Sequence, residues 1–206
     1  MNNIRAVIFD LGGVLFDWNP EYLYQKLISS PQQRAWFLRE VCSPTWNAQQ
    51  DAGRSIDEAT ESLVAQFPHY EDLIRAYYQR WPEMLIGPLA AGVAIQRDLH
   101  QAGIPLYALS NWSAQTFAYA EQHHAEILTP FQTLFISGRL HMAKPDPKIF
   151  QYCLDAIGMD APQLLFIDDD ASNIQAAQHL GFNTLHYSDP KHARQQLQQL
   201  ALLPVA

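Results

Sequence analysis

The stretch Ile4-Arg5-Ala6-Val7-Ile8-Phe9-Asp10-Leu11-Gly12-Gly13 decides how this chain is read. Residues 6–9 are apolar without alternation, which is how a strand buried on both faces is written. The run ends in a carboxylate, so the strand would carry Asp10 to the edge of a sheet, where an aspartate can act as a nucleophile. Two residues further on stands Gly12, not a second acid. That raises the question of which chemistry the nucleophile still has available.

Working outward, further short apolar runs occur at 104–109, 133–136, 164–167 and 184–187. Helix-like stretches at 89–101, 113–123, 147–157, 171–180 and 190–200 separate or follow them, and Gly103, Gly158 and Gly181 stand just past three of these as stops. Alternating strand and helix signals predict an α/β fold with a doubly wound parallel sheet. Residues 17–82 break the rhythm. They contain no convincing strand, are rich in Trp, Tyr and Gln, and are punctuated by Pro20, Pro31, Pro44, Ser55 and Pro68. The expected organisation is an α/β core of residues 1–16 and 83–206 with an inserted helical cap of residues 17–82. Such a cap would lie over the carboxyl edge of the sheet, where open α/β folds bind ligands and where a lid excludes water.

Bulk properties narrow the function. The chain has 206 residues, 48% of them hydrophobic, which is enough to bury a substantial core. A net charge of −8 without a basic cluster argues against nucleic acid and anionic membrane surfaces as partners. No apolar run approaches the roughly 18 residues of a membrane helix, and no signal peptide is evident. Two cysteines, Cys42 and Cys153, read as reduced thiols of a cytoplasmic protein.

Four polar groups fall at or just beyond predicted strand ends: Asp10, Ser110-Asn111, Lys144-Pro145-Asp146-Pro147 and Asp168-Asp169-Asp170. Each has an ordinary explanation alone: a helix N-cap, a turn, a cap followed by a first-turn proline, a solvated acidic loop. In a parallel sheet, however, strand ends converge on one crevice. Acids packed there repel and raise one another's pKa. A hard cation such as Mg²⁺ relieves this, using one or two carboxylates together with phosphate oxygens of a substrate. Lys144 neutralises Asp10 and a bound phosphoryl group, while the Ser110 hydroxyl and nearby N–H groups hold phosphate oxygens. The constellation suits phosphoryl transfer with Asp10 as covalent nucleophile.

The motifs Asp10-Leu11-Gly12-Gly13-Val14, Leu109-Ser110-Asn111, Lys144-Pro145 and Ile167-Asp168-Asp169-Asp170-Ala171-Ser172-Asn173 together resemble the four ordered motifs of the haloacid dehalogenase (HAD) superfamily. The resemblance spans almost the whole chain. It implies a Rossmann-like core, an aspartyl-phosphate intermediate and Mg²⁺. It further implies Asp10 as nucleophile and metal ligand, the Gly12 backbone carbonyl as a second metal ligand, Ser110 with the Asn111 backbone as phosphate holders, and Lys144 as the family's lysine. Asp169 is the first choice for direct coordination, with Asn173 one turn on. Asp168 is the second, through water, and Asp170 is expected to be a helix N-cap.

Most phosphatases of this superfamily carry an Asp where Gly12 stands, which protonates the leaving alcohol. Losing a positioned acid typically costs about 10²–10⁴-fold in rate. The Asp-x-Gly-Gly-Val form resembles the subgroup of bacterial α-glucose-1-phosphate phosphatases and the N-terminal domain of bifunctional epoxide hydrolases. The first reading is therefore a phosphatase for a small phosphorylated metabolite such as a sugar phosphate, with an easier leaving group or an acid borrowed from Asp17 or Asp51 of the cap. A 2-haloacid dehalogenase needs no such acid, but the pair Asp168-Asp169 argues against it. A non-catalytic phosphometabolite-binding protein is the third reading. Trp18, Trp46 and Trp112 are candidates for a substrate wall, Trp18 and Trp46 because they stand near predicted breaks and Trp112 because it follows Ser110-Asn111. No histidine pair has zinc-site spacing, although His141 lies close enough to Lys144 in sequence to reach the site.

Overall fold

The computed structural model describes residues 3–204. Its centre is a five-stranded parallel sheet of β1 (Ala6–Phe9), β4 (Leu106–Ser110), β5 (Thr133–Ile136), β6 (Leu164–Asp168) and β7 (Asn183–His186), in the order β5-β4-β1-β6-β7. These are the five apolar runs of the sequence. All residues of β1, β4 and β6 are buried, which is why their sequences show no alternation. Successive β1 residues nevertheless serve different cores: Val7 and Phe9 pack on one face of the sheet, Ala6 and Ile8 on the other. The fold is therefore doubly wound and Rossmann-like. Its strand order runs outward from β1 through β4 to β5, then restarts at β6 on the opposite side. Ligands bind at such a reversal, here between the carboxyl ends of β1 and β6.

A second, two-stranded antiparallel ribbon joins β2 (Phe16–Trp18) to β3 (Leu85–Pro88). Between its strands run α1 (Glu21–Leu27), α2 (Pro31–Glu40), α3 (Pro44–Asp51), α4 (Ile56–Gln66) and α5 (Glu71–Gln79). The helical insertion thus leaves and rejoins the core through paired strands, an element that the sequence reading did not contain. Ser30, Ser43 and Ser55 start α2, α3 and α4 by accepting a backbone N–H with their hydroxyls. An aromatic cluster holds the insertion together: Tyr24 packs on Phe37 and Tyr77, and Trp46 meets Tyr77 edge to face at 5.2 Å. The Tyr24 hydroxyl donates to the Leu73 carbonyl at 2.8 Å, so its buried polar end is satisfied.

The remaining helices are α6 (Ala90–Gln101), α7 (Ala114–His123), α8 (Ala125–Leu128), α9 (Ser137–Leu140), α10 (Pro147–Ile157), α11 (Ala171–His179) and α12 (Pro190–Gln199). The one-turn helices α8 and α9 were not expected; four residues are too few to establish a helical period. Among the described residues no helix is long and apolar enough to cross a membrane. Cys42 and Cys153 are both buried and unpaired.

Candidate active site

Three neighbouring strand ends deliver the polar core of the site. Asp10 follows β1, Ser110 closes β4 and Asp168 closes β6. Lys144, on the loop before α10, ties them together. Its Nζ donates to the Leu109 carbonyl at 2.8 Å, lies 3.0 Å from Asp10 Oδ1 and 2.7 Å from Asp168 Oδ2. Asn111 holds that loop: its Nδ2 donates to the Lys144 carbonyl and its Oδ1 accepts the Lys144 N–H, at 2.8 and 2.9 Å. The Asn111 side chain therefore positions the lysine, while its backbone remains next to Ser110 at the strand end. Lysine and acid pair are almost entirely withdrawn from solvent.

The acids differ in how far the protein already uses them. Asp168 is fully buried, and both its oxygens are engaged, by Lys144, by the Asp170 N–H at 2.8 Å and by Asn173 Nδ2 at 3.1 and 3.2 Å. Asn173 thus serves Asp168, not Asp169. Asp169 is exposed, and its carboxylate sits so close to Gly13 that a Cβ there would collide with it. Asp170 accepts from the N–H groups of Ser172 and Asn173 and starts α11, the N-cap role expected of it. At Asp10, it is Oδ1 that accepts the Leu11 N–H at 2.7 Å and faces Lys144.

Electrostatics follow from this crowding. Burial raises the Asp10 pKa, Lys144 opposes the rise, and Asp168 and Asp169 add to it. Asp169 is raised by partial desolvation and by the Asp168 charge. Lys144 stays protonated because its two carboxylates outweigh the burial that would neutralise it. Asp10, Asp168 and Asp169 each offer an oxygen, all within 4.8 Å of one another. One ammonium against three carboxylates leaves negative charge over, and hard oxygen donors of this kind suit Mg²⁺. The donor set therefore fits the expected cation.

A small, partly open cavity lies beside Gly12, Ser110 and Asn111. Its opposite walls are Trp18, Trp81 and Trp112, with Asn47, Asp51 and Thr116 as polar groups. Trp18 and Trp112 are thus where the sequence reading put them. Trp46 is not among the lining residues; it packs into the aromatic cluster against Tyr77 and Tyr78, because the third residue of α3 faces the interior of the insertion. Trp81 was missed. It sits on a single 3-10 turn after α5, and nothing local distinguishes it from the many aromatics nearby. The Trp18 and Trp112 indole N–H groups are buried without a partner among the described residues. His141 packs its ring near Gly53 and is not part of the cluster of Asp10, Asp168 and Asp169. Asp17 is hydrogen-bonded by the Tyr22 hydroxyl and does not line the cavity.

The sequence model of the haloacid dehalogenase-like hydrolases matches residues 4–181. The chain belongs to that family. Membership makes it a hydrolase. The haloacid dehalogenase-like chain is 29% identical to the sesquiterpene phosphatase astK of Aspergillus oryzae, over 95% of its own length and 96% of the relative's. It is 31% identical to an (S)-2-haloacid dehalogenase of Pseudomonas sp. strain YL, over 89% and 82%. Its fold matches a family enzyme of Bacteroides thetaiotaomicron solved as a magnesium complex, with a TM-score of 0.70 and 22% identity, covering 89% of this chain and 92% of that one.

Proposed function

We propose that this hydrolase is a Mg²⁺-dependent phosphatase for small phosphorylated metabolites, with Asp10 as the nucleophile. The observation that carries the reading is the cluster of Asp10, Asp168 and Asp169 oxygens around a single buried lysine. A haloacid dehalogenase has no use for this surplus of negative charge, whereas a phosphatase does. Asp10, the Gly12 carbonyl and Asp169 would hold the cation, with Asp168 behind them. Bound there, Mg²⁺ supplies charge neutralisation for the phosphoryl oxygens and lets Asp10 remain ionised.

The chain's own residues do the rest. Asp10 Oδ2 attacks phosphorus in line with the leaving oxygen. Lys144 holds Asp10 Oδ1 and faces the equatorial phosphoryl oxygens, while Ser110 and the Asn111 backbone donate to them. Water then hydrolyses the aspartyl-phosphate. The insertion acts as a cap whose indoles exclude bulk water from this exchange. Sugar phosphates are the first substrate class to test, because aromatic faces beside Asn47 and Thr116 suit a polyhydroxylated ring. A second class, phosphates of apolar alcohols, is favoured by the three-indole wall and by the sesquiterpene phosphatase relative. A cytoplasmic setting belongs to the same reading and is supported by the two unpaired thiols.

The test is phosphate release across sugar, terpenyl and acyl phosphates, with Mg²⁺ and with EDTA, beside a 2-haloacid control. EDTA is expected to abolish release, and Asp10→Asn to lower it at least about 10⁴-fold. Halide release at full rate in metal-free buffer would replace this reading with the dehalogenase. Binding of phosphorylated ligands without turnover or a trappable acyl-phosphate would replace it with the binding protein.

A further inference from the structure

Gly12 leaves the leaving-group oxygen without a proton donor from the position that supplies one in most phosphatases of the family. Nothing lies within 4 Å of where a Cβ on Gly12 would be. Gly12 lines the cavity, and Trp18, Asn47, Asp51 and Trp81 of the insertion line it too. Among the residues lining the cavity, Asp51 alone has a side chain able to give and take a proton near neutral pH. We propose that Asp51 is a catalytic residue, the general acid and base of the reaction, supplied from the cap in place of the missing core carboxylate. The proposal rests on the phosphatase reading and adds the proton path to it.

Asp51 is the last residue of α3, and it is held on three sides. Its Oδ1 accepts the Ser113 N–H at 3.0 Å, its Oδ2 accepts from Asn47 Nδ2 at 2.8 Å, and its carbonyl accepts the Ser137 hydroxyl at 2.5 Å. The side chain therefore has a fixed direction, as an acid must have. One lone pair of Oδ2 is taken by Asn47, which leaves that oxygen free to carry a proton. Among the described residues Asp51 has no ion-pair partner within 4.0 Å, unlike Asp10 and Asp168. Burial raises its pKa to about 7, against the Ser113 N–H, which lowers it. The titratable and charged groups around it include Tyr77 and Tyr78 of α5, both raised by burial and so neutral, His141, whose ring packs near Gly53 just beyond α3, and Glu21, Arg39 and Cys42, which line a second cavity with Asp51.

The protons balance over one turnover. As Asp10 Oδ2 bonds to phosphorus and the P–O bond to the alcohol breaks, the Asp51 proton goes to the departing oxygen and the alcohol leaves neutral. The Asp51 carboxylate then takes a proton from the water that attacks the aspartyl-phosphate. The bond from phosphorus to Asp10 breaks, inorganic phosphate is formed, and both aspartates return to their starting states.

A merely structural Asp51 would tie α3 to the start of α7 through Ser113, and the test separates the two roles. Wild type, D51N and the double variant G12D/D51N are compared on acetyl phosphate and on a series of aryl phosphates graded in phenol acidity. D51N keeps an oxygen for the Ser113 N–H. The expected result is a loss of about 10²–10⁴-fold in kcat/KM on phenyl phosphate and less than about tenfold on acetyl phosphate, whose leaving group needs no proton. The dependence of log kcat/KM on phenol pKa should steepen in D51N. Placing an acid at position 12 should restore at least about tenfold on phenyl phosphate, a recovery that an unfolded protein cannot show. An equal loss on all substrates with an unchanged slope, or no loss, overturns the proposal. No phosphate release by wild type from any of these probes overturns the phosphatase reading and the proposal with it.

Discussion

Asp10, buried in the core, and Asp51, half-buried in the insertion, both have carboxyl pKa values above the ordinary range, yet their surroundings are opposite. Asp10 faces a lysine at 3.0 Å and two further acids. Asp51 faces an amide, a backbone N–H and neutral phenols. Asp10 is raised by burial and crowding, and a bound cation reverses that rise. Asp51 is raised by burial, and among the described residues no cationic side chain lies within 4.0 Å of it. The difference teaches that a raised pKa has two meanings. Beside excess acids it marks a carboxylate that gains from a metal; in a neutral pocket it marks a carboxyl that keeps its proton until a base is made next to it.

The largest way to break the comparison is to remove the cation that only one region has. Lys144→Met leaves Asp10 and Asp168 buried without a counter-charge, and breaking such a pair costs about 3–5 kcal/mol. Urea unfolding should show the loss, and added Mg²⁺ should restore part of it, because a ligand bound only to the native state stabilises that state. A loss unaffected by Mg²⁺ would mean that the acids do not hold the cation.

A smaller effect concerns pH. The unfolded Asp51 carboxyl ionises near 3.8, and the native one near 7. Between these values the native state binds the extra proton, so stability falls as pH rises and the penalty is complete above about 7. Asp51→Asn should flatten the stability curve across this window, by up to about 1.4 kcal/mol per pH unit. An unchanged slope in urea titrations would place the Asp51 pKa near its ordinary value.

The smallest contrast is between adjacent glycines. Gly13 has a φ of +67°, and a side chain there strikes Asp169, whereas Gly12 has open space. Gly13→Ala should cost about 1–2 kcal/mol for the left-handed backbone and weaken Mg²⁺ binding measured by calorimetry. Gly12→Ala should stay within about 0.5 kcal/mol of wild type. Equal effects would show that the Asp169 carboxylate does not depend on a bare Gly13.

Much of the core was legible because its signals are local. Each buried strand is a short unbroken apolar run, and Asp10, Ser110 and Asp168 stand where such runs stop. Asp170 as an N-cap followed from the same short-range logic. The β2–β3 ribbon was not legible, since three or four residues carry no measurable period and their partners are about 70 residues apart in sequence. Trp46 and Trp81 exchanged roles for a related reason. In an insertion rich in aromatics, composition does not say which ring faces inward, and only the packing of Tyr24, Phe37 and Tyr77 sets the rotation of α3 and α5.

By itself, the sequence determined the parallel sheet and the strand ends at which Asp10, Ser110 and Asp168 stand, because a strand carries its last residue to a predictable edge. Tertiary structure decided the division of labour among them: Asp168 bound by Lys144 and Asn173, Asp169 left open, and Asp51, rather than Asp17, beside the cavity. The last of these depends on how the insertion meets the α/β core, with which it shares one hydrophobic cluster. The contacts that fix their meeting, from Asp51 to Ser113 and Ser137, join residues 62 and 86 positions apart, beyond the reach of any local pattern.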